Sequence, residues 1–131
     1  MSAYLLDTHA LVWLVSAPER IPVAARDLLA NPGATILVSA VTAWEIATKH
    51  RLGKMPEAEQ LIQNWSGVMA DLVATETPLT TRQGFMAGSL DWQHKDPFDR
   101  MLVAQAIDLG VPLVSGDGVM PTAPGLDLLW R

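Results

Sequence analysis

Four carboxylates stand at positions where a fold could gather them. Asp7 directly follows Ala3–Leu6, a short apolar run that fits a buried strand. Glu45 falls in the first turns of a helix expected over Val41–Leu52, just after the β-branched run Thr35–Val38. Asp99 sits in the first turn of a helix opened by Asp96-Pro97, and Asp117 follows the apolar run Pro112–Ser115 by two residues. In an open parallel sheet, ligands bind beyond the carboxyl ends of the strands, where all four would lie. With no cysteine in the chain, a carboxylate cluster suits a hard cation, Mg²⁺ or in its place Mn²⁺. Such a site binds phosphate oxygens, activates water and stabilises a leaving oxygen, which are the needs of phosphodiester hydrolysis.

Each acid also has a plainer role open to it. At 100° per residue, Leu102, Val103, Ala106 and Gly110 lie within about 60° of Asp99, on the stripe that should face the sheet. An unpaired carboxylate at the top of that stripe is costly, and a cation removes the cost. The alternative is an acid favoured by the helix dipole and reaching solvent. Asp7 fits both an N-cap and a ligand. Glu45 can pair with Lys49 one turn on. Asp117 lies in Ser115-Gly116-Asp117-Gly118, an ordinary turn composition. Asp96 fits an N-cap, with metal contact as the alternative.

The elements that must position these groups alternate. The strand at Ala3–Leu6 precedes a helix over Thr8–Ser16 that Pro18 stops; Pro22 starts another, ended by Asn31-Pro32-Gly33. Ser39 is placed to cap the helix that carries Glu45, and Gly53 to end it. Apolar residues at spacings of three and four predict one amphipathic helix over Glu57–Val73. Thr75–Leu79 fits a short strand, Thr80 a cap for a helix to about Leu90, and Gly110 the end of the Asp99 helix. Pro112–Ser115 and Leu126–Trp130 complete the strands. Short apolar strands between helices predict an α/β domain with a mainly parallel sheet, and residues 1–131 are expected to form one domain.

Half of the 131 residues are hydrophobic (50%) and 18% are charged, which excludes a disordered chain. The net charge of −5 argues on its face against nucleic acid, since phosphate contacts favour a basic footprint. Without the four acids above, however, ten acidic residues face nine basic ones. No run approaches the roughly 20 apolar residues of a membrane span, and the N-terminus makes a poor signal peptide, so a cytoplasmic protein without membrane contact is expected.

Four segments in order resemble the motifs of PIN-domain ribonucleases of the VapC toxin type: Tyr4–Trp13, Ser39–Ala47, His94–Ala106 and Leu113–Asp117. The third is the most specific; the motifs come in family order, and the resemblance extends over essentially the whole chain. The resemblance implies a three-layer α/β/α PIN fold and Mg²⁺-dependent endonucleolytic cleavage of RNA. It also implies a toxin–antitoxin pair with a small VapB-like antitoxin, and a homodimer. Position by position, the acidic quartet is Asp7, Glu45, Asp99 and Asp117. Asp7 and Asp99 stand foremost as metal ligands, and Glu45 and Asp117 would complete the site or orient its water. Ser115 stands where the family often has threonine and keeps the hydroxyl. The pair Asp96 and Asp99 leaves two candidates for the third acid, of which helix register favours Asp99.

Lys49, His50, Arg51 and Lys54 form the densest basic cluster, suited to RNA phosphates or to a solvated helix end. Lys95 and Arg100 could touch substrate or pair with surface acids. His9, His50 and His94 lack zinc-site spacing and are expected to be packing or surface residues. Most of the five tryptophans are expected in the core, with Trp13 and Trp65 alternatively at an antitoxin or dimer surface. A PIN-like binding module without catalysis is the competing reading, and the intact quartet argues against it. An aspartyl-phosphate phosphatase would need Asp where His9 stands. Nucleotide-binding and serine-hydrolase motifs are missing.

Overall fold

All strand pairings run parallel in the computed structural model, which describes residues 2–131. The strands are β1 (Ser2–Leu6), β2 (Ala34–Ser39), β3 (Thr75–Thr77), β4 (Leu113–Val114) and β5 (Leu128–Leu129), in the spatial order β3-β2-β1-β4-β5. The direction of winding therefore changes at β1, which pairs with β2 on one side and β4 on the other. The crevice at such a reversal is where open α/β sheets bind ligands.

Side chains alternate faces along each strand, and the sheet is buried on both. Tyr4, Leu6, Ile36, Val38, Val114 and Leu129 face one core, with Ala10, Leu11, Ala25 and Ile46 from the helices. Leu5 and Leu113, their sheet neighbours, face the other, with Leu102, Val103 and Ala106. The molecule is thus an α/β fold of helices on both sides of a five-stranded sheet.

Among the described residues, seven α-helices connect the strands: α1 (Thr8–Ser16), α2 (Val23–Ala30), α3 (Ala40–Arg51), α4 (Ala58–Gln63), α5 (Trp65–Leu72), α6 (Thr81–Ser89) and α7 (Pro97–Leu109). The caps act where the sequence puts them. Asp7 caps α1, Ser39 caps α3 and Asp96 caps α7, whose first residue is Pro97. Thr80 and Gln83 form a reciprocal capping box on α6. The single helix expected over Glu57–Val73 is instead two, α4 and α5, broken at Asn64. The Asn64 backbone leaves helical geometry (φ −107°, ψ 17°), and its side-chain amide joins its backbone N–H in donating to the Gln60 carbonyl, closing the last turn of α4.

The tryptophans depart from expectation. None is fully buried: Trp13, Trp65, Trp92 and Trp130 line the edges of the two cores, and Trp44 is 54% exposed. The indole N–H explains the edge position in two cases, with Trp65 donating to Glu76 at 2.6 Å and Trp92 to Thr122 at 2.9 Å. No helix among the described residues is long and apolar enough to cross a membrane.

Candidate active site

Asp7 leaves β1 at its carboxyl end and turns the chain into α1. Its Oδ1 accepts from the Ala10 amide at 2.7 Å, so the capping role left open by the sequence is filled. Capping uses one oxygen only. The side chain is buried, and this burial lifts its pKa to about 6, against the lowering effects of the Ser115 hydroxyl, the Ala10 amide and His9. The charge of Asp99 raises it further.

Glu45 is buried on α3 and held from two sides. Thr8 donates to its Oε1 at 2.6 Å, and Lys49 reaches its Oε2 at 2.7 Å. The Lys49 pairing considered from the sequence is therefore present, and Thr8 is a partner that the sequence did not flag. Thr8 also approaches the buried Thr42 at 3.4 Å, tying α1 to α3 beneath the acids.

Asp99 emerges from the first turn of α7, above Leu102, Val103 and Ala106, all wholly buried. Gly110, the last member of the expected stripe, is exposed and ends the helix in the left-handed conformation. The carboxyl of Asp99 is raised by burial, partly offset by a 2.7 Å bond to His94 Nε2. Asp96, Glu45 and Asp117 then each raise it by charge. Its neighbour Phe98 meets Trp44, the neighbour of Glu45, edge to face at 4.8 Å, which locks the two acid-bearing helices together.

Asp117 lies in the exposed loop after β4. Its backbone N–H donates to the Ser115 hydroxyl oxygen at 3.1 Å, while its Oδ1 accepts from Val119 N–H at 3.1 Å. The preceding Gly116 packs against the Trp130 indole so closely that a Cβ would collide with the ring. That contact, rather than a special backbone angle, is what this glycine serves.

Electrostatically the four acids form one group, through Asp7–Asp99 and through Glu45 and Asp117 on Asp99. Their ligand atoms are not all drawn tight: among the described residues, only His94, Asp96 and Asp99 bring three such atoms within 4.8 Å of one another. His94 was expected to be a packing or surface residue and is instead bonded to a candidate site acid. Its signal in the sequence was weak, because it sits in an irregular segment without periodicity. Asp96 serves as the cap of α7, its Oδ1 accepting from the Phe98 and Asp99 amides.

Arg100 takes neither role considered for it. Its guanidinium donates to four main-chain carbonyls, those of Ala87, Leu90, Trp92 and His94, at 2.7–2.9 Å. It clasps the segment that carries His94 against α7, and so positions His94 for Asp99. Lys95 remains exposed. In the basic cluster, Lys49 is engaged by Glu45, whereas His50, Arg51 and Lys54 are exposed at the end of α3 and beyond.

The family model of the PIN domain matches residues 4–126. The chain belongs to the PIN-domain family. This PIN domain is similar in fold to a chain in the crystal structure of VapBC2 from Rickettsia felis bound to a promoter DNA fragment (TM-score 0.73, 19% identity, 98% of this chain and 99% of that chain). It is similar also to VapBC-1 from nontypeable Haemophilus influenzae (TM-score 0.68, 18% identity, 97% and 96% covered). FitAcB from Neisseria gonorrhoeae is a further relative in fold (TM-score 0.67, 15% identity, 96% of each chain). A comparison with curated proteins finds no match.

Proposed function

We propose that this chain is a divalent-metal-dependent endoribonuclease, acting in the cytoplasm as the toxin of a toxin–antitoxin pair, with residues 1–131 as one catalytic domain. The observation that carries the reading is the convergence of Asp7, Glu45 and Asp117, each from a separate segment, on the charge of Asp99 at the carboxyl end of the sheet. Clustered like charges in a partly buried site are costly alone and are offset by a cation. The donors are carboxylate oxygens with one imidazole nearby, a set that fits Mg²⁺ or Mn²⁺. When bound, such an ion supplies charge neutralisation at a phosphate and acidification of water.

The roles of the chain's own residues follow from their partners. Asp7 and Asp99 would hold the metal directly, and Glu45 and Asp117 would complete the site. The cap to Ala10 fixes the Asp7 carboxylate in one orientation. Thr8 and Lys49 hold Glu45 from both oxygens, and His94 holds one oxygen of Asp99. An RNA phosphodiester would enter over the carboxyl ends of β1 and β4. Membership of the PIN family supports nuclease chemistry. The neighbouring folds, found in VapBC and FitAB complexes, support a small VapB-like antitoxin as partner and are compatible with a homodimer.

The test is cleavage of a single-stranded RNA with and without Mg²⁺. Asp99→Asn should lower the rate by roughly a thousandfold or more, as for loss of a group that stabilises transition-state charge. Full activity in excess EDTA would overturn the metal mechanism. Failure to cut RNA with any divalent metal would overturn the ribonuclease reading.

A further inference from the structure

A cleft of about 480 Å³ opens beside the acids, within the range of ligand pockets, and is lined by His9, Trp13, Arg20, Lys49, Lys54 and Glu57, among others. It brings together cations from separate stretches of sequence: Arg20 after α1, Lys49 on α3 and Lys54 beyond it. Lys49 is already paired with Glu45, so in a chain of net charge −5 the cations Arg20 and Lys54 against the single carboxylate of Glu57 leave this cleft locally basic.

Two of these cations have no acid partner. Among the described residues, neither Arg20 nor Lys54 forms an ion pair, although Glu57 lines the same cleft. Arg20 is held instead by an aromatic face, its guanidinium 4.5 Å from the centre of the Trp13 ring. That contact orients the guanidinium and leaves its N–H donors free for an anion. Trp13 is itself buttressed by His9 and Trp130, each at 5.8 Å between ring centres. The cleft and the acids share a wall: Lys49 lines the one and bonds Glu45 of the other at 2.7 Å.

We propose that this cleft is a subsite for the backbone phosphates of single-stranded RNA flanking the bond to be cut, with Arg20 and Lys54 as the phosphate-binding residues. The inference rests on the ribonuclease reading for the position of the scissile bond. An acidic site repels a polyanion, so nearby cations must supply the attraction that the acids withhold. The chemistry of the cleft is that of phosphate contact, which sets affinity and salt dependence without selecting sequence. A protein partner's acidic segment is the competing occupant. The adjacency of the cleft to the acids favours RNA, because a strand lying across the acids must continue beyond them.

The test measures binding apart from cleavage. Fluorescence anisotropy of a labelled oligouridylate is followed against salt for Asp99→Asn, and for Asp99→Asn also carrying Arg20→Gln and Lys54→Gln. Both added changes are at exposed positions. The proposal predicts at least about tenfold weaker binding at low salt, and a plot of log affinity against log salt shallower by about 1.4, the loss of two single-strand phosphate contacts. Arg20→Lys in place of Arg20→Gln should restore about half of that slope change. Unchanged affinity and slope would overturn the subsite even if the wild-type protein cuts RNA. Binding lost in the variants while the wild type cuts no RNA would uphold the phosphate subsite and remove only the ribonuclease reading. Unchanged RNA binding with lost binding of a polyglutamate peptide would give the cleft to a protein partner, and would also overturn the proposal.

Discussion

Asp99 and Asp108 sit nine residues apart on α7, on opposite faces of the helix, and their carboxyls shift in opposite directions. Asp108 is met by Arg82 at 2.7 Å and by the Gln83 amide at 3.1 Å, and these bonds hold its pKa below the ordinary carboxylate value. Gln83 in turn accepts from Gln105, which also donates to the Pro78 carbonyl. This network joins α6 to α7, and only the Gln105 Oε1 is left without a partner among the buried side-chain atoms described. Asp99 has one side-chain partner, His94, and four acids around it, Asp7, Glu45, Asp96 and Asp117. The same residue type on the same helix is stabilised at one end of the molecule and strained at the other. The difference separates two kinds of cluster: around Asp108 the charge meets its own partners and ties α6 to α7, while around Asp99 like charges stand together, the feature on which the proposed metal site rests.

The largest expected effect that would sharpen this contrast is the pH dependence of the metal-free protein. Asp7 releases its proton near 3.8 when unfolded and near 6 when folded. Between those values the native state holds more protons, so stability falls as pH rises through the window. The full loss is on the order of 3 kcal/mol, complete above about pH 6, and the raised Asp99 acts in the same direction. Urea denaturation from pH 4 to 7 should show it. Asp7→Asn, which keeps the capping oxygen, should flatten the profile, and an unchanged profile would break the account of a strained site.

A second effect tests the closed network. Gln83→Ala removes half of the capping box, the bond to Asp108 and the acceptor for Gln105 in one change. A loss of about 2 kcal/mol is expected in urea denaturation. A loss no greater than that of an ordinary surface substitution would deny the network its structural role.

The smallest effect is the most discriminating. In metal-free protein at pH 7, Asp108→Asn should lower Tm modestly, because it removes an ion pair. Asp99→Asn should not lower it, because it removes a charge that the fold opposes. Equal destabilisation by both would erase the distinction between the two regions.

The sequence made the strands and caps legible because each has a local cause. Thr8–Ser16 is bounded by a capping aspartate and a proline, and α7 by Asp96-Pro97 and Gly110. The four acids were legible because each falls at an end of an expected element. What escaped depended on partners distant in sequence or on irregular backbone. The break at Asn64 lies in one residue's backbone angles, which the periodicity of the apolar residues does not register. The bonds of Thr8 to Glu45, of Arg100 to four carbonyls and of Arg20 to Trp13 exist only once the chain is folded. The tryptophans were assigned to the core by size, while their N–H groups and bulk keep them at its edges.

The acids at the carboxyl end of the sheet are proposed to form a site completed by a divalent cation. The most direct measurement is the Tm of the wild type and of Asp99→Asn as Mg²⁺ is raised from zero, in the absence of RNA. Binding to the folded state alone contributes about 2.7 kcal/mol when free metal is about 100 times Kd. The wild-type Tm should rise by several degrees, and that of Asp99→Asn little or not at all. No shift in the wild type at millimolar Mg²⁺ or Mn²⁺, or an equal shift in both proteins, would contradict the proposed site.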